Sequence, residues 1–193
     1  LSELLLVTLR SLISSSVLMF VAALAEEAAF RGYPLQTLSR AKLVVFGVLI
    51  TSLPFGLVHL MNPNVVPGAT LVNTALAGVW LAIAYLKTRS LWFPLGVHWG
   101  WNWALGWFFG LPVSGLRIVS NPLLRGDDVG PAWLTGGSYG IEGGVACTVA
   151  MLIFTAFLRW LTGFWFAWAP IQGAWGPDLG TGPIAQGWEW ITT

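Results

Sequence analysis

The chain has 193 residues, of which 56% are hydrophobic and only 9% are charged, and its mean hydropathy is +0.74. An ordinary soluble domain carries roughly 25% charged residues, so this chain lacks the polar surface that a water-soluble fold needs. Its net charge of +1 does not indicate the basic surface that nucleic-acid-binding proteins carry. A single cysteine, Cys147, excludes an internal disulfide and a cysteine-based metal cluster. This composition, with 13 tryptophans, predicts an integral membrane protein.

Five hydrophobic stretches follow one another along the chain, each near the roughly 20 residues that a membrane-spanning helix needs. The second and third are the two halves of a stretch without Asp, Glu, Lys or Arg between Lys42 and Lys87, divided at the loop-like sequence MNPNVVPG. The sequence therefore predicts an all-α, polytopic membrane helix bundle with about five transmembrane helices. These lie at about 11–30 (extending towards Leu38), 43–60, 69–86, 91–111, and from just after Glu142 to at least Arg159.

Basic residues predict how the helices are oriented. With five spans, six of the nine basic residues fall on one side, which the positive-inside rule makes cytoplasmic. The Gly- and Pro-rich segment 113–140 is then an external loop. We expect one helix-bundle domain over 1–168, and we place the Trp- and Gly-rich tail, 169–193, at the membrane interface. The protein is then a multi-pass protein, for which we expect a prokaryotic cell membrane, of unknown oligomeric state.

The first span ends in AEEAAFRG, which places two carboxylates and an arginine at membrane depth. At about 100° per residue, Glu27 and Arg31 lie on nearly one face, whereas Glu26 and Arg31 are about 140° apart. Glu27 is therefore the expected ion-pair partner of Arg31, and Glu26 points elsewhere. An alternative is that all three residues mark the cytoplasmic end of the helix. Ionisable groups kept inside a membrane are nevertheless usually functional.

Two further motifs place the only histidines of the chain in other spans. In FGLVH, Phe55 and His59 share a helical face, and in HWGWN, His98 and Asn102 do so. Each pair alone is compatible with a helix end or with polar contacts between helices. Together with Glu26, however, they form a set suited to amide hydrolysis: Glu26 and His59 to activate a water, and His98 and Asn102 to stabilise the oxyanion.

If all spans lie at the same height in the membrane, these four residues do not meet. His59 lies near the outer end of span two and His98 in the cytoplasmic half of span four, a difference in depth of roughly 10 Å. A shared site therefore requires helices that tilt, bend at Pro54 or sit at staggered heights.

The three motifs in this order resemble those of the CPBP intramembrane proteases, the CAAX-protease and bacteriocin-processing (Abi) family, which includes the Ras-converting CAAX endopeptidase. Its pattern, EExxxR, FxxxH and HxxxN, is matched in full within 26–102. The resemblance implies a metal-independent, glutamate-dependent endopeptidase in a helical membrane bundle, with no cofactor and with a peptide or protein substrate that can itself be membrane-anchored. It implies Glu26 as general base, His59 as its partner and His98 with Asn102 as the oxyanion site.

The same resemblance gives Glu27, Arg31 and Phe55 supporting roles. Members of the family commonly have further helices before this first motif, so we expect the N-terminal sequence, which begins at Leu1, to be incomplete.

Other chemistries remain open at this point. One glutamate and two histidines are also a catalytic zinc ligand set, although no HExxH is present to hold two ligands on one helix. A proton-coupled transporter or a non-catalytic membrane scaffold could keep the same residues. GGSYG at 136–140 formally matches the nucleophile elbow of serine hydrolases, but that motif needs a preceding strand. We interpret it as loop, and the LRGDD aspartates at 127 and 128 as a solvated turn.

Overall fold

The computed structural model describes residues 2–162, and the side chains of 3–156. All regular elements in this part are helical, as the sequence predicts, and no β-strand occurs among them. The helices are α1 (Ser2–Glu27), α2 (Tyr33–Arg40), α3 (Val44–His59), α4 (Ala69–Thr88), α5 (Trp92–Trp103), α6 (Ala132–Thr135) and α7 (Val145–Thr162). The predicted tail at 169–193 lies outside the described residues, and the expected domain limits, 1–168, stay a prediction.

The first helix is longer than its predicted span. A π-helical segment, Ala28–Gly32, joins α1 to α2, so one helical stretch runs from Glu3 to Arg40. Single charges such as Arg10 do not interrupt it, because backbone hydrogen bonds within a helix do not depend on the side chain at one position. Its outward side chains are apolar and exposed, as a bilayer-facing surface requires.

Two helical stretches are long and apolar enough to cross a membrane, Glu3–Arg40 and Ala69–Thr88. Val44–His59 and Val145–Ala156 are shorter apolar helices. Helices therefore lie in all five predicted regions of the chain, and the number of them that span the membrane stays a prediction.

Helices α3 and α4 pack antiparallel through small residues. A Cβ added to Gly56 would lie 3.1 Å from backbone atoms of α4, and one added to Gly78 would lie 3.0 Å from Ser52. Apolar side chains close the end of this pair that contains the start of α3 and the end of α4, where Leu35, Val44, Val48, Ala82, Tyr85 and Leu86 form one cluster. This close approach brings the backbone of α4 within reach of Arg31, which lies in the π-helical segment that follows α1.

Helix α5 runs antiparallel to α1. Met19 packs with Leu105 and Val113, and the Trp99 indole N–H donates to the carbonyl of Ser16 at 3.0 Å. A second π-helical segment, Ala104–Phe108, follows α5 directly. The two helices that carry the first and third motifs are thus direct neighbours.

The segment after α5, 109–144, is more ordered than a plain loop. It contains α6 and two 3₁₀ turns, Gly137–Tyr139 and Ile141–Gly143. The GGSYG sequence lies in the first of these turns and follows α6, so the strand that a nucleophile elbow needs does not precede it. Asp128 accepts hydrogen bonds from Gly130 N and Thr135 Oγ1 in an exposed turn.

Candidate active site

The first motif lies where α1 changes its geometry. Helix α1 ends at Glu27, and the π segment Ala28–Gly32 begins at the next residue. The second π segment begins two residues after Asn102, which ends the third motif. Single π-helical turns are rare and occur frequently at functional sites. The two π-helical segments therefore lie next to the polar residues of the first and third motifs.

A buried ion pair joins Glu27 and Arg31. Arg31 Nη1 lies 3.1 Å from Glu27 Oε1, and the two side chains are 0% and 1% exposed. Arg31 Nη2 also donates to the carbonyl of Gly78 on α4 at 3.1 Å. The pair is the one that the i,i+4 spacing predicts. A guanidinium with no exposed surface requires such a partner, because an unpaired buried charge is strongly destabilising.

Glu26 faces both histidines. Its Oε2 atom lies 3.9 Å from His59 Nε2 and 3.6 Å from His98 Nε2, and it is buried without a hydrogen-bond partner among the described residues. These separations are too long for direct hydrogen bonds and suit a bridging water. Helices at equal heights, the simple picture of the spans, cannot give this arrangement. The structure therefore places His59 and His98 at the same depth, beside Glu26.

The remaining ring nitrogens are anchored. His59 Nδ1 lies 2.7 Å from the carbonyl of Phe55, and His98 Nδ1 lies 2.8 Å from Glu27 Oε1. Both partners can only accept, provided that the Glu27 carboxylate is ionised, so each Nδ1 carries the proton. Each Nε2, the atom that faces Glu26, is then free to accept a proton or to donate one, according to the charge of its ring.

Phe55 packs at the centre of these groups. Its ring centroid is 4.6 Å from that of His59, 6.0 Å from that of His98 and 4.3 Å from Arg31 Cζ. The side chain is only 2% exposed. Phe55 therefore fixes the orientation of both rings and shields the guanidinium from solvent.

Asn102 differs from the other three predicted residues. It lies one helical turn beyond His98 on α5 and is half-buried. The structure records no hydrogen bond from its amide to Glu26, His59 or His98. The structure thus brings Glu26, His59 and His98 together and places Asn102 one helical turn beyond His98.

Sequence reasoning missed two contacts, the hydrogen bond between Glu27 and His98 and that between Arg31 and the carbonyl of Gly78. The first depends on how α1 packs against α5. The second uses a backbone atom, which carries no sequence signal beyond the glycine that lets the helices approach.

Comparison with protein-family models matches residues 8–104, half of the chain, to the type II CAAX prenyl endopeptidase, Rce1-like family. The matched range contains Glu26, Glu27, Arg31, Phe55, His59, His98 and Asn102. No curated protein and no solved structure gives a significant match to the chain. The match agrees with the family that the three motifs indicate, and this family is membrane-embedded. The chain therefore belongs to the Rce1-like type II CAAX prenyl endopeptidases, and its family activity is that of a membrane endopeptidase.

Proposed function

We propose that this protein hydrolyses a peptide bond with a water activated by Glu26 and His59, without a covalent enzyme intermediate and without a metal. The observation that carries the proposal is the approach of both Nε2 atoms to Glu26 Oε2, at 3.9 and 3.6 Å. A carboxylate and an imidazole that flank one water are a suitable general-base pair.

The hydrogen bonds at Nδ1 support a division of labour between the histidines. With its proton on Nδ1, a neutral His59 presents the lone pair of Nε2 towards Glu26. A water between them can donate one hydrogen to Glu26 and the other to His59, so its own lone pair remains available for the substrate carbonyl. Transfer of one proton to Glu26 then accompanies attack on the carbonyl carbon. Glu26 returns this proton to the amide nitrogen as the C–N bond breaks, so the peptide leaves as an amine and a carboxylic acid.

Charge balance supports a protonated His98. Glu26 and Glu27 contribute two negative charges and Arg31 one positive charge, so an imidazolium at His98 makes the cluster neutral. Both carboxylates lie against this ring, Glu27 at 2.8 Å and Glu26 at 3.6 Å. The proton on Nε2 is then a donor for the tetrahedral oxyanion, and Asn102, one turn away, adds an amide donor. Glu27 and Arg31 act as positioning residues that hold His98 in this state.

The family name supplies the first substrate class to test, a prenylated peptide ending in a CAAX sequence. Exposed apolar side chains surround the helices that carry the site, so a lipid-anchored peptide can approach from within the bilayer. We propose only the class of substrate. Analysis of the cleavage products would identify the bond that is hydrolysed.

The decisive experiment compares Glu26→Gln with the parent chain in proteoliposomes, with a farnesylated CAAX peptide and a panel of other membrane-anchored peptides as substrates. Gln keeps the shape of the side chain and removes the base, so we expect cleavage to fall by about 10³-fold or more. Glu3→Gln, the same change on the exposed first turn of α1, is the matched control and should leave cleavage unchanged. Full activity of Glu26→Gln would rule out the mechanism.

A zinc-dependent protease is the second candidate. Two imidazole Nε2 atoms and a carboxylate oxygen converge, and each Nδ1 is anchored by an acceptor, as is usual for zinc-bound histidines. The described residues nevertheless contain no group of three His, Cys, Asp or Glu side chains arranged to hold a metal ion. Metal analysis of the active protein, with chelation and zinc add-back, separates the two mechanisms.

The same preparations test the remaining alternatives. A proton-coupled transporter would show substrate flux that Glu26→Gln abolishes while no peptide is cleaved. A scaffold would show neither flux nor cleavage.

A further inference from the structure

A cavity of about 330 Å³ lies beside the second π-helical segment, against the chain that connects α5 to α6. Its volume falls within the range of small-molecule sites, roughly 300–1,000 Å³. The polar side chains that line it are Arg117, Ser120, Arg125 and Asp127. None of these residues belongs to the candidate active site, so the cavity is a separate feature of the molecule.

The walls of this cavity are held in place by the backbone. Three hydrogen bonds, of 2.8, 3.0 and 2.8 Å, join the backbone N–H groups of residues 123, 124 and 126 to the carbonyls of residues 107, 108 and 109. A Cβ added to Gly126 would lie only 2.7 Å from Leu111 Cδ2, so these two lining residues are in close contact. The cavity is therefore formed before a ligand enters, and binding does not have to order its walls.

The charged groups of the cavity remain available to a ligand. No ion pair within 4.0 Å involves Arg117, Arg125 or Asp127 among the residues that the structure describes. Arg117 makes one long hydrogen bond, from Nη1 to the carbonyl of Gly110 at 3.4 Å. Guanidinium groups match the geometry of a phosphate, whereas the carboxylate of Asp127 repels a plain anion. A ligand with a phosphate and a separate positive group therefore fits this lining best.

The surroundings of the cavity are apolar. The exposed side chains that neighbour the two arginines along the chain are Ile118, Leu123 and Leu124. Ser11 Oγ of α1 donates to the carbonyl of Asn121 at 2.6 Å, which places the same chain against the first half of α1. The exposed side chains of that part of α1 are mainly apolar, among them Leu4, Leu5, Leu9 and Ile13. A ligand with a charged head group and apolar chains thus meets complementary surfaces.

We propose that this cavity binds the head group of a phospholipid that carries both a phosphate and a primary ammonium group, as phosphatidylethanolamine does. Arg117 and Arg125 donate to the phosphate, the hydroxyl group of Ser120 adds a donor, and Asp127 accepts from the ammonium group. The acyl chains lie along the exposed apolar surface of α1. The proposal is independent of the proposed peptidase function, because no residue of the candidate active site takes part.

The test measures lipid affinity of the purified full chain in detergent. A phosphatidylethanolamine with a fluorescent acyl chain is displaced by unlabelled phosphatidylethanolamine, by phosphatidylglycerol or by inorganic phosphate. We expect phosphatidylethanolamine to bind more tightly than phosphatidylglycerol, because only its head group offers an ammonium group to Asp127. Inorganic phosphate should bind at least about 10-fold more weakly than either lipid, because it has no acyl chains. If it binds as tightly, the site takes the free ion and the proposal is wrong.

The double substitution Arg117→Gln with Arg125→Gln removes the phosphate ligands. Both side chains are exposed, so we expect an unchanged melting temperature and an affinity for both phospholipids that falls about 10-fold or more. Arg40→Gln with Lys42→Gln removes two exposed charges at the other end of the helical stretch Glu3–Arg40 and is the matched control. It should leave both affinities unchanged. An equal loss in the two double variants would reduce the effect to net charge and would overturn the proposal.

Asp127→Asn tests the preference for an ammonium group. It should weaken binding of phosphatidylethanolamine about 2- to 5-fold and leave that of phosphatidylglycerol unchanged or tighter. Asp128→Asn is the matched control, since this neighbouring carboxylate accepts from Gly130 N and Thr135 Oγ1 instead of lining the cavity. It should change neither affinity. Equal affinities of Asp127→Asn and the parent chain for phosphatidylethanolamine would contradict the proposal, also if the arginine variant were unstable.

Discussion

The candidate site and residues 111–144, here called the cover segment, both bury polar groups, but the hydrogen bonds and ion pairs that stabilise these groups differ. At the site, Glu27 is shared by two cationic or potentially cationic side chains, Arg31 at 3.1 Å and His98 at 2.8 Å. In the cover segment, Glu142 accepts from the neutral donors of Trp101 and Ser114. The first arrangement depends on charge and the second on the number of hydrogen bonds. Equivalent substitutions in the two regions should therefore have different effects.

Glu27→Gln should have the largest effect of the substitutions that test this comparison. It leaves Arg31 buried without a counter-charge and removes the carboxylate that favours an imidazolium at His98. Breaking a buried ion pair from one side costs about 3–5 kcal/mol, and because the amide oxygen still accepts a hydrogen bond we expect a loss of about 3 kcal/mol. Cleavage should fall by about 10²-fold or more. Thermal unfolding in detergent and the peptide assay measure the two effects.

The double substitution Glu27→Leu with Arg31→Met sharpens this prediction. Removing both charges avoids the unpaired guanidinium, so part of the lost stability should return while activity stays low. A double variant that is as unstable as Glu27→Gln would show that the cost lies in packing.

Asn73→Ala should have an intermediate effect. Its amide donates to the carbonyls of Glu142 at 2.8 Å and Gly144 at 2.9 Å, and its Oδ1 accepts from Thr148 at 2.6 Å. Alanine removes the side-chain partner of all three groups, and we expect a loss of about 2 kcal/mol. Hydrogen exchange of the cover segment should increase while the helix α1 amides stay protected. Equal deprotection of both regions would show that the two unfold as one unit.

Much of the geometry of the candidate site could be predicted from the sequence, because the residues concerned are ionisable groups in an apolar chain. Glu27 and Arg31 are one helical turn apart, and local spacing alone pairs them. The relative depth of His59 and His98 could not be predicted, because it depends on how α3 and α5 pack in the bundle. Asn73 was equally inaccessible to prediction, since two of its partners are backbone carbonyls about 70 residues away along the chain.

Glu142→Gln makes the same chemical change as Glu27→Gln and should have the smallest effect. Its carboxylate accepts from the Trp101 indole at 2.7 Å and from the backbone and hydroxyl of Ser114 at 2.7 and 3.0 Å. An amide oxygen can replace one of these acceptors, and no buried cation loses its partner, so we expect a loss of about 1 kcal/mol. Thermal unfolding of the two Gln variants under identical conditions measures the difference. If Glu142→Gln were as destabilising as Glu27→Gln, charge would not be what distinguishes the two regions, and the imidazolium assigned to His98 would lose its main support.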